Sequence, residues 1–225
     1  MSVSIRLLLS QKLCLRDPNQ TELGQKILNH SILLIDELGF EGFTFKKLAK
    51  AIGSTEASVY RYFENKHKLL VYLVAWYWAW LDYTIDYQIH NIEDPRRRLR
   101  LAIEALANAN IEDPLTAHIN ESSLHRIVIA ESSKAFLTKS VDGEREQGLF
   151  EGYVQLVDKL AGIIAAVNPD FEYPKALAVT VIEGSRKQLF FAVHIPTVTE
   201  ISAPAALQEQ LSDFLEMLIL KTLQK

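Results

Sequence analysis

Between Thr44 and Lys66 the chain reads TFKKLAKAIGSTEASVYRYFENK. Its polar side chains include the hydroxyls of Thr44, Thr55, Ser58, Tyr60 and Tyr62, the cations Lys46, Arg61 and Lys66, and the acid Glu56. The hydroxyls and cations hold anions by hydrogen bonds and ion pairs, but such groups break bonds only when a base or metal activates them. The rest of the sequence supplies no activator. The histidines (His30, His67, His90, His118, His125 and His194) are scattered, with no HxxxH or HxH spacing that would mark a metal site. Cys14 is the single cysteine, which rules out an intramolecular disulfide and a cysteine-built zinc site. The glycines occur singly, so no phosphate-cradling loop is present. Glu144 and Glu146 fall on different helix faces and do not form an acid/base pair. These residues point to binding and not to catalysis, with no cofactor and no metal.

The elements that must position these groups are two short helices and the start of a long one. Thr44 is placed to cap a helix over Phe45–Ala51, and Thr55 to cap a second running to about Phe63. Gly53 lies between them, where a tight turn needs a left-handed residue. Ala49 is small enough to let the helices cross closely, and Leu48, Ile52, Val59 and Tyr62 are spaced to close a miniature core. Asn65 opens a long helix, which puts Lys66 in its first turn. This is the geometry of a helix-turn-helix, in which the N-terminal residues of the second helix enter the major groove of a duplex. Thr44, Tyr60, Tyr62 and Lys66 are available to phosphates, and contacts of that kind position a protein while base-edge contacts specify sequence.

The wider pattern is a helix ending at Gly39, then Gly42-Phe43-Thr44, Leu48-Ala49, Gly53, Val59-Tyr60, Tyr62-Phe63 and Asn65-Lys66 with Leu69. It resembles the TetR family of one-component transcriptional repressors over residues 21–70; the rest of the chain matches only in helix count and length. The resemblance implies that Lys46, Glu56, Ala57 and Arg61 face bases, with Thr44, Ser58, Tyr60, Tyr62 and Lys66 facing phosphates. It also implies a homodimer on a palindromic DNA operator, released by a small-molecule effector. The sequence departs from the family pattern at Ser54-Thr55, where Val-Ser is usual, and at Ala57, where glycine is usual. Glu56 puts an acid on the recognition helix. A carboxylate there either accepts from cytosine N4 or weakens binding.

Charge is divided in the sense a DNA binder needs. Residues 1–70 hold ten Lys and Arg against seven Asp and Glu, whereas residues 71–225 hold fourteen against twenty-one. The basic end can approach phosphates while the acidic body stays clear of them. No apolar run reaches the ~18 residues of a membrane span, and no signal-peptide cleavage site follows Ile5–Leu15, so a cytoplasmic protein is expected. Helical periodicity and proline or glycine punctuation predict an all-α fold of nine helices: 21–38, 45–51, 55–63, 65–89, 95–111, 121–138, 144–167, 174–194 and 204–223. The expected division is a flexible tail at 1–20, a DNA-binding domain at 21–68 and a helical ligand-binding and dimerisation domain at 69–225.

Within that body, Trp76, Tyr77, Trp78 and Trp80 are too close together to share one helix face. Aromatic and polar groups mixed on the predicted body helices nominate Trp80, Tyr83, Tyr87, Leu106, Asn110, His125, Ile129 and Tyr153 as a pocket for an apolar or aromatic ligand. Leu177, Val181 and Leu189 on the penultimate helix, with Leu207, Leu211, Phe214 and Leu218 on the last, nominate a dimer face of four-helix-bundle type. The run Arg96, Arg97, Arg98 and Arg100 starts at the far end of the long helix from Lys66, whose roughly 25 residues span nearly 40 Å at ~1.5 Å per helical residue, and reads as a solvated face. Two other classes compete. One is a helical lipid- or small-molecule-binding protein that keeps this architecture without DNA binding. The other is a helical enzyme, which lacks a convergent catalytic set.

Overall fold

The computed structural model describes residues 13–109, 119–136, 138–139, 141–146, 148–203 and 205–224. Among the described residues it is all-helical: α1 Glu22–Gly42, α2 Phe45–Ala51, α3 Glu56–Tyr60, α4 Lys66–Ile89, α5 Pro95–Ala107, α6 Glu121–Glu131, α7 Ser133–Phe136, α8 Val141–Glu146, α9 Glu151–Val167, α10 Pro174–His194 and α11 Leu207–Leu223. Short 3-10 turns stand at Pro18–Gln20 and Pro196–Val198. Among the described residues eleven helices replace the nine expected because two predicted helices are broken. The segment 121–138 divides at Ser132. The segment 144–167 divides around Gly148, whose φ of 74° is left-handed and stops a right-handed helix.

Local chemistry accounts for the helix starts. Thr21 Oγ1 accepts from Gly24 N at 3.0 Å, and Asn120 Oδ1 accepts from Ser123 N at 2.7 Å. Asp94 accepts from the backbone N–H of Arg96 and Arg97, with Pro95 at the first helical position. Each supplies an acceptor for an N–H that has no partner within its helix. Gly39 (φ 69°, ψ 163°) kinks α1 near its C-terminal end.

The chain forms two compact units. The first takes the described part of Met1–Ala79 with that of Asn110–Gly152; the second takes Trp80–Ala109 with the described part of Tyr153–Lys225. In the first unit Ile27, Leu28, Ile32 and Ile35 of α1 are buried, as are Leu124, Ile127 and Val128 of α6. Three polar links tie the two helices. Arg126 makes two hydrogen bonds to Asp36, at 3.0 and 2.6 Å. Glu131 accepts from Phe40 N at 3.1 Å. Lys134, just beyond α6, meets Glu41 and Glu131 at 3.1 and 2.8 Å. Burial alone would raise the Asp36 carboxyl, but hydrogen bonds from Arg126 and Ser123 outweigh it and hold the group below its usual range.

In the second unit α11 packs on α5 and α10, with Leu99, Ile103 and Leu106 buried alongside Val181, Ile182, Leu211, Leu215 and Ile219. Lys159 is enclosed by Asp82 (2.8 Å), Asp86 (2.5 Å) and the Asp82 carbonyl (2.9 Å), which fixes α9 to the end of α4. Among the described residues no helix is long and apolar enough to cross a membrane.

Candidate functional site

The site begins with how α2 and α3 are made to cross. Thr44 Oγ1 accepts from Lys47 N, and Thr55 Oγ1 accepts from Ser58 N, each at 3.2 Å. Between the helices Gly53 takes φ 64°, and Ser54 N donates to Ala49 O at 2.8 Å, closing the turn. Leu48, Ala49, Val59 and Phe63 are buried and Ile52 is half-buried at the end of α2. With Val59 turned inward, Glu56, Ala57, Tyr60 and Arg61 stand exposed on the opposite surface of α3, and Ser58 is half-exposed. Thr44, Thr55 and Lys46 are exposed as well. The Tyr60 ring meets Phe45 edge-on at 5.0 Å, which fixes its direction while leaving the residue 48% exposed.

Two expected phosphate contacts have other partners. Tyr62 is 2% exposed, and its hydroxyl shares a 2.7 Å hydrogen bond with that of Thr21. It belongs to the interior of the unit, so the expectation that it faces phosphate is corrected. Lys66 directs its ammonium at the end of α1, donating to the carbonyls of Phe40 (3.0 Å), Glu41 and Phe43 (both 3.4 Å), and it lies 4.7 Å from the Phe40 ring centroid. It satisfies carbonyls left without helical partners and sits at the negative end of the helix dipole. The sequence suggested an external anion; the kink at Gly39 supplies internal acceptors instead.

Exposed cations that sequence reasoning left out stand on the same unit. Lys50 is exposed on α2, and Lys47, also exposed, donates to Gly42 O at 2.7 Å. The Lys-Lys-x-x-Lys spacing at 46–50 was the available signal. The segment before α1, expected to be a loose tail, is packed on the unit from Leu13 onward: Leu13 is buried, Leu15 N donates to Tyr62 O at 2.8 Å, and Asn19 Nδ2 donates to Tyr72 Oη at 2.8 Å. Burial, and secondarily Asp17, pushes the Cys14 thiol up to about 11, so it is not a thiolate nucleophile near neutral pH.

The ligand candidates are divided between the two units. In the first unit His125 is buried and its Nδ1 lies 2.8 Å from Tyr77 Oη, a partner that sequence reasoning passed over although it sits one turn before Trp80; Ile129 is half-buried. In the second unit Trp80 and Leu106 are buried, Tyr83 and Tyr87 are 39% and 76% exposed, and Tyr153 donates to Glu183 at 2.9 Å. Asn110 lies outside the described residues. A cleft of about 660 Å³ between α5 and α11 is lined by Arg100, Glu104, Glu209, Asp213 and Glu216. Its polar, acidic walls are not those expected for an apolar ligand.

Of the residues nominated for a dimer face, Leu177, Val181, Leu189 and Leu211 are buried within the single chain and have little surface left for a partner. Leu207, Phe214 and Leu218 keep half-exposed surface. Exposed apolar residues on the same helices, Val179 and Met217, were not foreseen. Arg96, Arg97 and Arg100 are solvated as expected, with Arg100 paired to Glu216 at 2.9 Å.

With this geometry in view, comparison with known proteins is specific at one end of the chain. Residues 27–73 match the model for bacterial regulatory proteins of the tetR family. A search of curated proteins found no match. The whole fold is similar to solved structures. AibR, crystallised with isovaleryl coenzyme A and operator DNA, is 16% identical with a TM-score of 0.59, over 86% of this chain and 97% of its own. The fatty acid degradation regulator FadR of Bacillus halodurans is 18% identical with a TM-score of 0.60, over 85% and 93%. The ketosteroid transcriptional regulator KstR2 of Mycobacterium tuberculosis is 13% identical with a TM-score of 0.60, over 93% and 100%. At such identities these likenesses bear on the fold. The family match falls on the helix-turn-helix itself, and a binding protein without DNA recognition is the less favoured reading.

Proposed function

We propose that this chain, whose residues 27–73 match the model for bacterial regulatory proteins of the tetR family, is a homodimeric repressor of that family released from a palindromic operator by a small effector. The observation that carries the reading is the free outer surface of α3: Glu56, Ala57 and Arg61 are exposed while Val59 anchors the helix from behind. In this reading Arg61, Lys46 and Glu56 meet base edges, where an arginine donates to guanine and a carboxylate accepts from cytosine. Thr44, Ser58 and Tyr60 meet phosphate oxygens, and Lys66 orients the start of α4 through the end of α1 instead of gripping a strand.

The effector is an apolar or aromatic molecule bound in the helical body, and it acts by favouring a body conformation in which the paired α3 helices are wrongly spaced. The likeness to AibR, FadR and KstR2 supports an effector of acyl, lipid or sterol character, since those proteins are named for or crystallised with such molecules. Half-exposed Leu207, Phe214 and Leu218, with Val179 and Met217, support a dimer through α10 and α11. Titration of the full chain into a labelled random-sequence duplex at low salt tests the DNA-binding reading. Binding that weakens steeply with added salt is expected, and no binding at the lowest salt overturns it.

A further inference from the structure

The helix-turn-helix leaves the segment before α1 without a function, although that segment is held at several points. Leu15 N donates to Tyr62 O at 2.8 Å and Asn19 Nδ2 to Tyr72 Oη at 2.8 Å. Pro18 lies so close to α1 that a Cβ on Gly24 would meet its carbonyl oxygen at 2.2 Å. Held in this way, Arg16 is exposed, with its guanidinium carbon 5.5 Å from the centroid of the Tyr62 ring. Tyr62 follows directly on α3 and its exposed Arg61, so the segment brings a cation beside the end of the recognition helix. A guanidinium lying over an aromatic ring keeps its N–H donors available for a planar anion. Among the described residues no carboxylate forms an ion pair with Arg16. Its neighbour Asp17 accepts from Asn19 N (2.9 Å) and Gln20 Nε2 (3.0 Å) within its own turn.

We propose that Arg16 is a further duplex contact, donating to a backbone phosphate that flanks the bases read by α3. The partner is the phosphodiester of double-stranded DNA, and the contact is independent of sequence. Tyr62 then serves twice, since its hydroxyl locks to Thr21 and its ring is the platform for Arg16. The proposal rests on the DNA-binding reading of α3 and extends it to a second, discontinuous part of the chain.

The test uses the full chain and a labelled random-sequence duplex, with affinity measured from about 50 to 200 mM salt. Arg16→Ala is expected to weaken binding and to make the slope of log K against log salt shallower by about 0.9 per protomer, about 1.8 for the dimer, the increment for one phosphate from each chain. Arg16→Lys is expected to keep the wild-type slope. A residue that only supports the fold would shift affinity or melting temperature without moving the slope. An Arg16→Ala slope equal to wild type overturns the proposal, and so does an Arg16→Lys slope as shallow as that of Arg16→Ala. If the wild-type chain does not bind the duplex at all, the α3 reading fails with it, and that result is distinct because no slope then exists to compare.

Discussion

Lys66 shows how one side chain can be read correctly in position and differently in role. Its type and its place in the first turn of α4 are plain in the sequence, but its acceptors are the carbonyls of Phe40, Glu41 and Phe43 more than twenty residues earlier. No local pattern announces that meeting, because it depends on the backbone reversal at Gly39. Charge-assisted hydrogen bonds from a half-buried ammonium contribute about 1–2 kcal/mol, so Lys66→Ala should lower thermal stability clearly. Its salt slope for DNA binding should stay near wild type, unlike that of Arg61→Ala; a large change in slope for Lys66→Ala would restore the phosphate role. Gly39 itself sits at φ 69°, ψ 163°, a conformation nearly confined to glycine. Gly39→Ala is expected to cost about 1–3 kcal/mol, measurable by chemical denaturation, with the loss arising from backbone strain, since the nearest group to an added Cβ is the Glu131 carboxylate at 3.7 Å. The spacing of Tyr62 marks it correctly as a core residue. Its phosphate role does not follow, because the hydroxyl of Thr21 that engages it lies more than forty residues away in sequence.

At the scale of elements, the starts of helices were the most legible features. Thr21, Thr44, Thr55 and Asp94 all cap as their residue types suggest. Breaks within helical periodicity were not: nothing apolar changes at Ser132 or around Gly148, yet α6, α7, α8 and α9 are separate. The long aromatic helix also resolved in one particular way. From Leu69 to Trp78 α4 is buried on every side, so Trp76, Tyr77 and Trp78 pack in different directions with none left at the surface. Farther along α4, burial raises the Asp82 carboxyl despite the opposing effect of Lys159. A carboxyl raised in this way favours the fold while protonated, and that contribution is lost as pH rises through the folded value. Lys159→Met removes the compensating charge from Asp82 and Asp86. It should therefore destabilise the protein by about 2 kcal/mol near neutral pH, with the deficit shrinking as pH falls through the carboxylate range. Denaturation midpoints across that range test the sign; a deficit that grows on acidification would contradict it.

For the whole molecule, the charge division, the all-helical class and the helix-turn-helix followed from sequence, because they rest on composition, on periodicity and on residues within 23 positions of one another, Thr44 to Lys66, respectively. The pocket and the dimer face did not, because each depends on which apolar residues the chain has already covered. Val181 and Leu211 look like interface residues in sequence and are fully buried within one chain. The dimer should instead use surface such as Phe214, Leu218, Met217 and Val179 on α10 and α11. Met217→Glu and Leu218→Glu together should shift the sedimentation mass from two chains toward one, and should weaken DNA binding in parallel, since a dimer presents two α3 helices about 34–36 Å apart.

Selection from a random duplex library by the purified full chain, followed by sequencing, tests most directly whether α3 reads DNA as one half of a symmetric pair. An enriched inverted repeat with half-sites one helical turn apart is expected, with a change of base preference at symmetric positions for Glu56→Ala or Arg61→Ala. Enrichment of no sequence, or an enriched site whose base preferences ignore both substitutions, would contradict that reading of α3.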